Sequence, residues 1–542
     1  MIEINDKLKI YYPLKLKPRD QQIEGFNFFK RGVNNGFRYF LMGLPVGSGK
    51  SYMVMMIINY YKNYINNDAK FDILTNSKLL QTQYMNDFPF LKDYRGRANF
   101  YCDPHDTDCG KGKNICKVQG PHCTDCPYDL ARKSWQASQI GLTNFHLYNT
   151  LAVYVKKIID ERDSSVLFVD ESHDFESTFC SFITTSLSAK SLKMYGFNLK
   201  EIEDMDRTIG RIKTIDKYVG YIENQLVKDI KDKIFWLDDK MQSASKKLKQ
   251  EYSKYMTHCE GQLSSFDFLI KEYRKNPKNW ILETTKTKDK MYSGILLEAK
   301  PVWGNDYIKE AIFDKYDHVI FLSATILDKK TFSFTNGLDE KLTTHLELPS
   351  TFPINRHPIY YLKVGKMTWK EKKETFKKQL KYIDKILKKN KGKKGIIHAG
   401  TYEFVSWLQE KYMNPRLIFH TPENRDEMLQ RHINSDEPTV LVSPSMISGI
   451  DLKDDLSRFQ IILKIPFPNL GSDMVKQRMA TNKVWYNIKT VQDLIQMSGR
   501  SMRSNEDWCE TFVLDSSFSD LIKYSGHLLP RTFTDSIKIL KL

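Results

Sequence analysis

A glycine-spaced run, Pro45-Val46-Gly47-Ser48-Gly49-Lys50-Ser51, can wrap backbone N–H groups around phosphate oxygens. Within it Lys50 would reach the β- and γ-phosphates, and the Ser51 hydroxyl would join the shell of a Mg²⁺ ion. The strict pattern asks for glycine where Leu44 stands, so the general motif fails by one residue. Gly47 and Gly49 still permit the close backbone approach. Further on, Asp170-Glu171-Ser172-His173 ends an apolar run. Asp170 suits the Mg²⁺ shell, and Glu171 suits orienting and deprotonating an attacking water. Alone, such a pair reads as an exposed loop; beside a phosphate loop in the same chain it reads as catalytic. Near the end, Gln496-Met497-Ser498-Gly499-Arg500-Ser501-Met502-Arg503 sets two arginines three apart, on one face if helical. From an opposing lobe, Arg500 and Arg503 could stabilise charge on a transferring phosphoryl group. Gln496 and Gly499 in register with them favour that over a pair of surface arginines.

Five cysteines, Cys102, Cys109, Cys116, Cys123 and Cys126, fall between the first two elements. In a reducing compartment such a group suggests metal rather than disulfides. On spacing alone, Cys102, Cys116 and Cys123-x-x-Cys126 suit Zn²⁺ and an iron–sulfur cluster equally, and His105 or His122 could replace a thiolate on zinc. Cys180, Cys259 and Cys509 stand alone and read as packing residues.

These groups need a scaffold. Phe37–Met42 reads as a strand and Ser51 to about Tyr64 as a helix, the setting a phosphate loop requires. Apolar runs at Phe71–Leu74, Val166–Val169 and Val319–Leu322 predict a parallel sheet. A second set, at Gly395–His398, Leu417–Phe419, Val440–Val442, Ile461–Ile465 and Thr511–Leu514, predicts a second α/β lobe. Residues 98–130 are rich in Cys, Gly, Pro and Asp with little periodicity, whereas 178–290 are lysine- and glutamate-rich with helical spacing. The expected division is a first lobe at 1–97, 131–177 and 291–335, interrupted by a cysteine-rich insertion at 98–130 and a helical one at 178–290. The second lobe then spans 336–542.

With 542 residues, 41% hydrophobic and 27% charged, the chain suits a soluble protein of two or three domains. Its net charge of +17 favours a polyanionic partner, because lysine and arginine displace counterions from a phosphate backbone. A lysine-rich composition that merely solubilises the surface would give the same figure. Met1-Ile2-Glu3-Ile4-Asn5-Asp6 lacks a basic stretch followed by an apolar run, so a cytoplasmic protein without a membrane association is expected.

In order along the chain, these elements resemble the motifs of superfamily 2 helicases, specifically the XPD/DinG family of iron–sulfur DNA helicases. The phosphate loop matches that family's first motif, which also lacks the leading glycine. Asp-Glu-Ser-His at 170–173 resembles its Asp-Glu-Ala-His box. Arg19-Asp20-Gln21-Gln22 looks like its Arg-x-x-Gln element, and Ser323-Ala324-Thr325 is similar to the motif coupling hydrolysis to movement. Ser448-Gly449-Ile450-Asp451 followed by Ile465-Pro466-Phe467-Pro468 looks like the fifth motif and the element beyond it, and Gln496 to Arg503 fits the sixth. Cys126-Pro127-Tyr128-Asp129-Leu130-Ala131-Arg132 resembles the run carrying the last cluster ligand, with Thr143-Asn144-Phe145-His146 after it.

The resemblance implies an α/β fold of two RecA-like P-loop motor domains, the first carrying an iron–sulfur insertion and a helical arch. It implies ATP contacts from Arg19, Gln22, Pro45, Gly47, Ser48, Gly49, Lys50, Ser51, Gly449 and Asp451. It also implies a [4Fe–4S] cluster on Cys102, Cys116, Cys123 and Cys126, with Cys109 departing from the pattern and Zn²⁺ the alternative. The implied activity is ATP-dependent, 5′-to-3′ movement on single-stranded DNA with unwinding at duplex junctions, by a monomer. Motor contacts go mostly to the backbone, so the motifs do not separate DNA from RNA; the resemblance favours DNA. The rival activities are a translocase that does not separate strands and a binding protein switched by ATP. The short arch and the Lys/Asn-rich composition would suit a phage or viral version in a bacterial or phage-infected cell.

Overall fold

The computed structural model describes residues 17–119, 125–287, 292–444, 452, 454–499 and 506–540. Two all-parallel seven-stranded sheets dominate it. The first runs Thr343–Glu347, Tyr39–Gly43, His318–Ser323, Val166–Asp170, Phe71–Thr75, Ile140–Asn144 and Lys92–Asp93 from edge to edge. The second runs Leu417–Phe419, Val440–Ser443, Gly395–His398, Phe459–Ile462, Glu510–Val513, Ile359–Tyr361 and Ile537–Ile539. Their central strands are continuous apolar runs because helices cover both sheet faces. Val166–Asp170 is buried at every position and lies between Phe71–Thr75 and His318–Ser323. This register brings Asp170 beside Leu322 and Gly43 beside Ser323, so the loops that follow these strands share one carboxyl edge.

The helix Lys50–Tyr64 buries Met53, Val54, Met55, Met56, Ile57 and Ile58 almost all round, because it is packed between the sheet and the helix Asp20–Asn34. Gly25 makes that approach possible: a Cβ there would stand 2.4 Å from the Met53 sulfur. The insertion after Ile183 is built on the long antiparallel pair Val227–Ser243 and Lys246–Lys275.

Several elements depart from the sequence reading. The first sheet takes the strand Thr343–Glu347, beyond the expected end of the first lobe at 335. The segment 178–290 includes the strands Thr185–Leu187 and Trp280–Lys286, which flank Ile295–Pro301 in a three-stranded antiparallel sheet. Only alternate side chains of Ile295–Pro301 are fully buried, so its apolar run is broken by polar residues. The cysteine-rich segment contains an eleven-residue helix, Cys109–Gln119, packed on Lys246–Lys275. There Asn114 donates to Thr257 at 3.1 Å and Lys113 and Lys117 pair with Glu260 at 3.0 and 2.9 Å.

Candidate active site and metal centre

The strand Tyr39–Gly43 ends at a turn in which Gly47 (φ 77°) and Gly49 (φ 78°) adopt the left-handed conformation that side chains disfavour. Gly49 is the N-cap of Lys50–Tyr64, so the turn opens onto the positive end of a helix dipole. Two residues of the expected Arg-x-x-Gln element brace it. Arg19 donates to the Gly47 carbonyl, and Gln22 Nε2 donates to the Gly49 carbonyl at 3.0 Å. The Ser48 hydroxyl is buried and meets no hydrogen-bond partner among the described residues, as suits a cradle shaped for phosphate oxygens. Pro45 and Val46 face Ala324, Gln496 and Gly499 across a cavity between the lobes.

Lys50 Nζ lies 3.3 Å from Glu171 Oε1, which joins the phosphate loop to the carboxylate pair. Asp170 is buried; its Oδ2 accepts from Tyr84 O–H at 2.9 Å and its Oδ1 from the Glu171 N–H at 2.9 Å. Burial, and then the Glu171 charge, push the Asp170 carboxyl up to about 6, against the lowering pull of Lys50 and Tyr84. Such a carboxyl is poised for a cation, which stabilises its ionised form. Glu171 itself holds a positive φ of 54°, a conformation costly for a non-glycine residue and common where a side chain is held for chemistry.

From Glu171 a polar chain crosses the molecule. His173 Nδ1 lies 3.4 Å from Glu171 Oε2 and 2.9 Å from the Ser323 hydroxyl. Ser323 Oγ accepts the Thr325 N–H at 3.0 Å. Thr325 then meets the second lobe, with its hydroxyl accepting from Gln496 Nε2 at 3.3 Å and its carbonyl from Gln492 Nε2 at 2.8 Å. The structure therefore brings together Arg19, Gln22, the phosphate loop, Asp170, Glu171 and Gln496. Gly449, Asp451, Arg500 and Arg503 lie outside the described residues.

The sequence reading missed Tyr84, and it missed a second bridge between the lobes. Arg478, on the helix Asp473–Thr481, is almost fully buried and forms paired bonds of 2.7 and 3.1 Å to Glu176, six residues after Asp170. Its guanidinium lies over the Trp303 and Trp485 rings. No local signal marks a pair so distant in sequence.

In the cysteine-rich insertion, Cys102, His105 and Cys116 bring one donor atom each to within 4.8 Å of one another. This group fits the metal-bearing insertion implied by the resemblance. Cys126 neighbours Cys109, whose thiol is raised chiefly by burial and further by Cys126 while Arg97 lowers it. Cys123 lies outside the described residues.

Two family models match: the helicase C-terminal domain over residues 371–535, and the res subunit of type III restriction enzymes over residues 15–198. No curated protein matches the chain in sequence. Among solved structures, an XPD helicase superposes with a TM-score of 0.66 at 15% identity, covering 97% of this chain and 100% of that one. XPD in its apo form gives 0.61 at 14%, covering 94% and 98%. S. tokodaii Xpd4 gives 0.58 at 16%, covering 96% and 100%. At these identities the likeness is one of fold, while the family matches lie one in each lobe. Taken with the motifs and their geometry, they place a helicase C-terminal domain in the second lobe and a restriction-type motor segment in the first, on a fold similar to that of XPD helicases.

Proposed function

We propose that this helicase-family motor moves along single-stranded DNA, 5′ to 3′, and separates strands at junctions with duplex, at the expense of ATP. The observation that carries this reading is the Lys50–Glu171 pair under the glycine turn, tied through His173, Ser323 and Thr325 to Gln496 of the facing lobe. Gly47, Ser48 and Gly49 hold the phosphates, and Lys50 exchanges Glu171 for the γ-phosphate. Glu171, so released, orients water and takes its proton. Ser51 and Asp170 would hold Mg²⁺, which when bound would supply charge neutralisation on the phosphate oxygens.

Arg19 and Gln22 keep the loop in register, while Gly449, Asp451, Arg500 and Arg503 take the roles implied by the resemblance on the facing side. Loss of the γ-phosphate changes what Glu171 and His173 bond, and the Thr325–Gln496 contact passes that change to the second lobe. Strand movement follows from repeated closing and opening. The proposed division keeps the boundaries given above, with the strand Thr343–Glu347 added to the first lobe, and the working unit is one chain.

The test pairs a DNA-stimulated ATPase assay with strand displacement on substrates carrying 5′ or 3′ tails, with RNA versions alongside. Wild-type protein should hydrolyse ATP and displace from a 5′ tail, and Lys50→Ala should lose both activities. Hydrolysis without displacement on any substrate would replace the helicase by a translocase. Nucleotide binding without hydrolysis would replace it by a switched binding protein.

A further inference from the structure

The strands Tyr101–Cys102 and Thr107–Asp108 form a small hairpin closed by the single turn Asp103–His105. Asp106, in the left-handed region at φ 48°, completes the reversal. The turn sets Cys102 and His105 three residues apart on the side facing the helix Cys109–Gln119. Hairpin and helix touch at Gly112. A Cβ there would stand 2.7 Å from the Cys102 sulfur and 3.7 Å from a His105 ring carbon, so any larger residue would part the two. One turn further along that helix, Cys116 presents its sulfur 3.2 Å from His105 Nε2.

That spacing has a simple meaning. Two ligands bound to one tetrahedral ion at about 2.3 Å (sulfur) and about 2.0 Å (nitrogen) stand about 3.5 Å apart. A thiol–imidazole hydrogen bond would explain the pair, but not the convergence of a third, buried donor from Cys102. The turn is also braced from behind. Gln250 Nε2 donates to the His105 carbonyl at 3.1 Å, and Lys246 pairs with Asp106 at 3.3 Å, both from the long helix Lys246–Lys275. Held backbone with converging donors is how ligands are oriented around a metal.

We propose that His105 is a metal ligand, forming with Cys102 and Cys116 a mixed imidazole–thiolate centre that takes a thiophilic metal through nitrogen as well as sulfur. Zinc, as a single tetrahedral ion, would meet all three donors, whereas an iron of a [4Fe–4S] cluster takes one protein ligand, so there His105 would hold one corner. An imidazole on iron raises a cluster's reduction potential relative to four thiolates, so the ligand would tune as well as hold. The centre would also fasten the hairpin to a helix that grips the arch.

The test uses the full chain purified anaerobically, with metal analysis and absorbance deciding between iron and zinc. If iron is present, pulsed electron paramagnetic resonance of the reduced protein is compared with and without ¹⁵N-histidine. If zinc is present, the Co²⁺-substituted protein is examined for nitrogen coupling in the same way. Coupling to a histidine nitrogen is expected in wild type and in His527→Ala, and should vanish in His105→Cys while the metal stays. His105→Ala should lose metal to a chelator about tenfold faster or more. Absence of nitrogen coupling in wild type, or unchanged metal retention in His105→Ala, overturns the proposal, as does a chain that binds no thiophilic metal. If the alanine variant does not fold, the wild-type spectrum still decides. None of these readouts requires ATP hydrolysis, so a failed motor assay and a failed ligand assignment are told apart.

Discussion

At the scale of single residues, Asp170 makes the sharpest statement. Its carboxyl is raised to about 6 by burial and by Glu171, so if Asp170 holds Mg²⁺ as proposed, a proton and the ion compete for it just below neutrality. The ionised form binds the cation, so the Mg²⁺ requirement of ATP hydrolysis should climb as pH falls through about 6. It should approach tenfold per pH unit below that. Titrating Mg²⁺ at a series of pH values checks this, and a flat requirement from pH 7.5 to 5.5 would remove Asp170 from the ion's shell. Tyr84→Phe deletes the O–H that favours the carboxylate, so the climb should begin at a higher pH. Without metal the sign runs the other way for folding. The native value lies above the unfolded one of about 4, so the buried charge opposes folding at neutral pH and protonation relieves it between about 6 and 4.

Among the elements, the helix Asp473–Thr481 and the segment after the Asp-Glu-Ser-His run are joined by the buried Arg478–Glu176 pair. Glu176 Oε1 also accepts from the Gly304 N–H at 3.3 Å, and Arg478 Nε donates to the Val302 carbonyl at 2.6 Å, so neither charge is left half-satisfied. Arg478→Ala should therefore cost about 3–5 kcal/mol, because it strands a buried carboxylate. Arg478→Met with Glu176→Leu should cost much less. Urea unfolding of the three proteins measures both, and equal losses would mean that packing on Trp303 and Trp485, not charge, holds the joint. This joint also marks how far the sequence could be read. Val166–Val169 and Val440–Val442 were legible as strands because a sheet covered on both faces leaves an unbroken apolar run. Thr343–Glu347 was not, since an edge strand reading Thr-Thr-His-Leu-Glu has no such run. The phosphate loop, Asp170, Glu171 and Gln496 were legible because their chemistry fixes residue type and local spacing. Arg478, Tyr84 and the approach of His105 to Cys102 and Cys116 depend on which segments meet, and spacing along the chain carries no record of that.

For the whole molecule, the question is what its net charge of +17 is for. If the excess lines a path for single-stranded DNA, binding must release counterions. The logarithm of the affinity then falls against the logarithm of salt concentration with a slope of about −0.7 per phosphate contacted. A path of about six phosphates gives a slope near −4, which between 50 and 200 mM salt is a loss of a few hundredfold. If instead stacking on aromatic side chains, 13% of the chain, dominates, salt would weaken binding only slightly. Fluorescence anisotropy with labelled oligothymidylate across that salt range separates the two. We expect the steep slope, because a motor that steps along any sequence gains from contacts that every nucleotide offers in the same form, and phosphates are the most uniform of these. A slope shallower than about −1 would mean that the charge merely keeps the protein soluble, and that the strand is held by stacked bases.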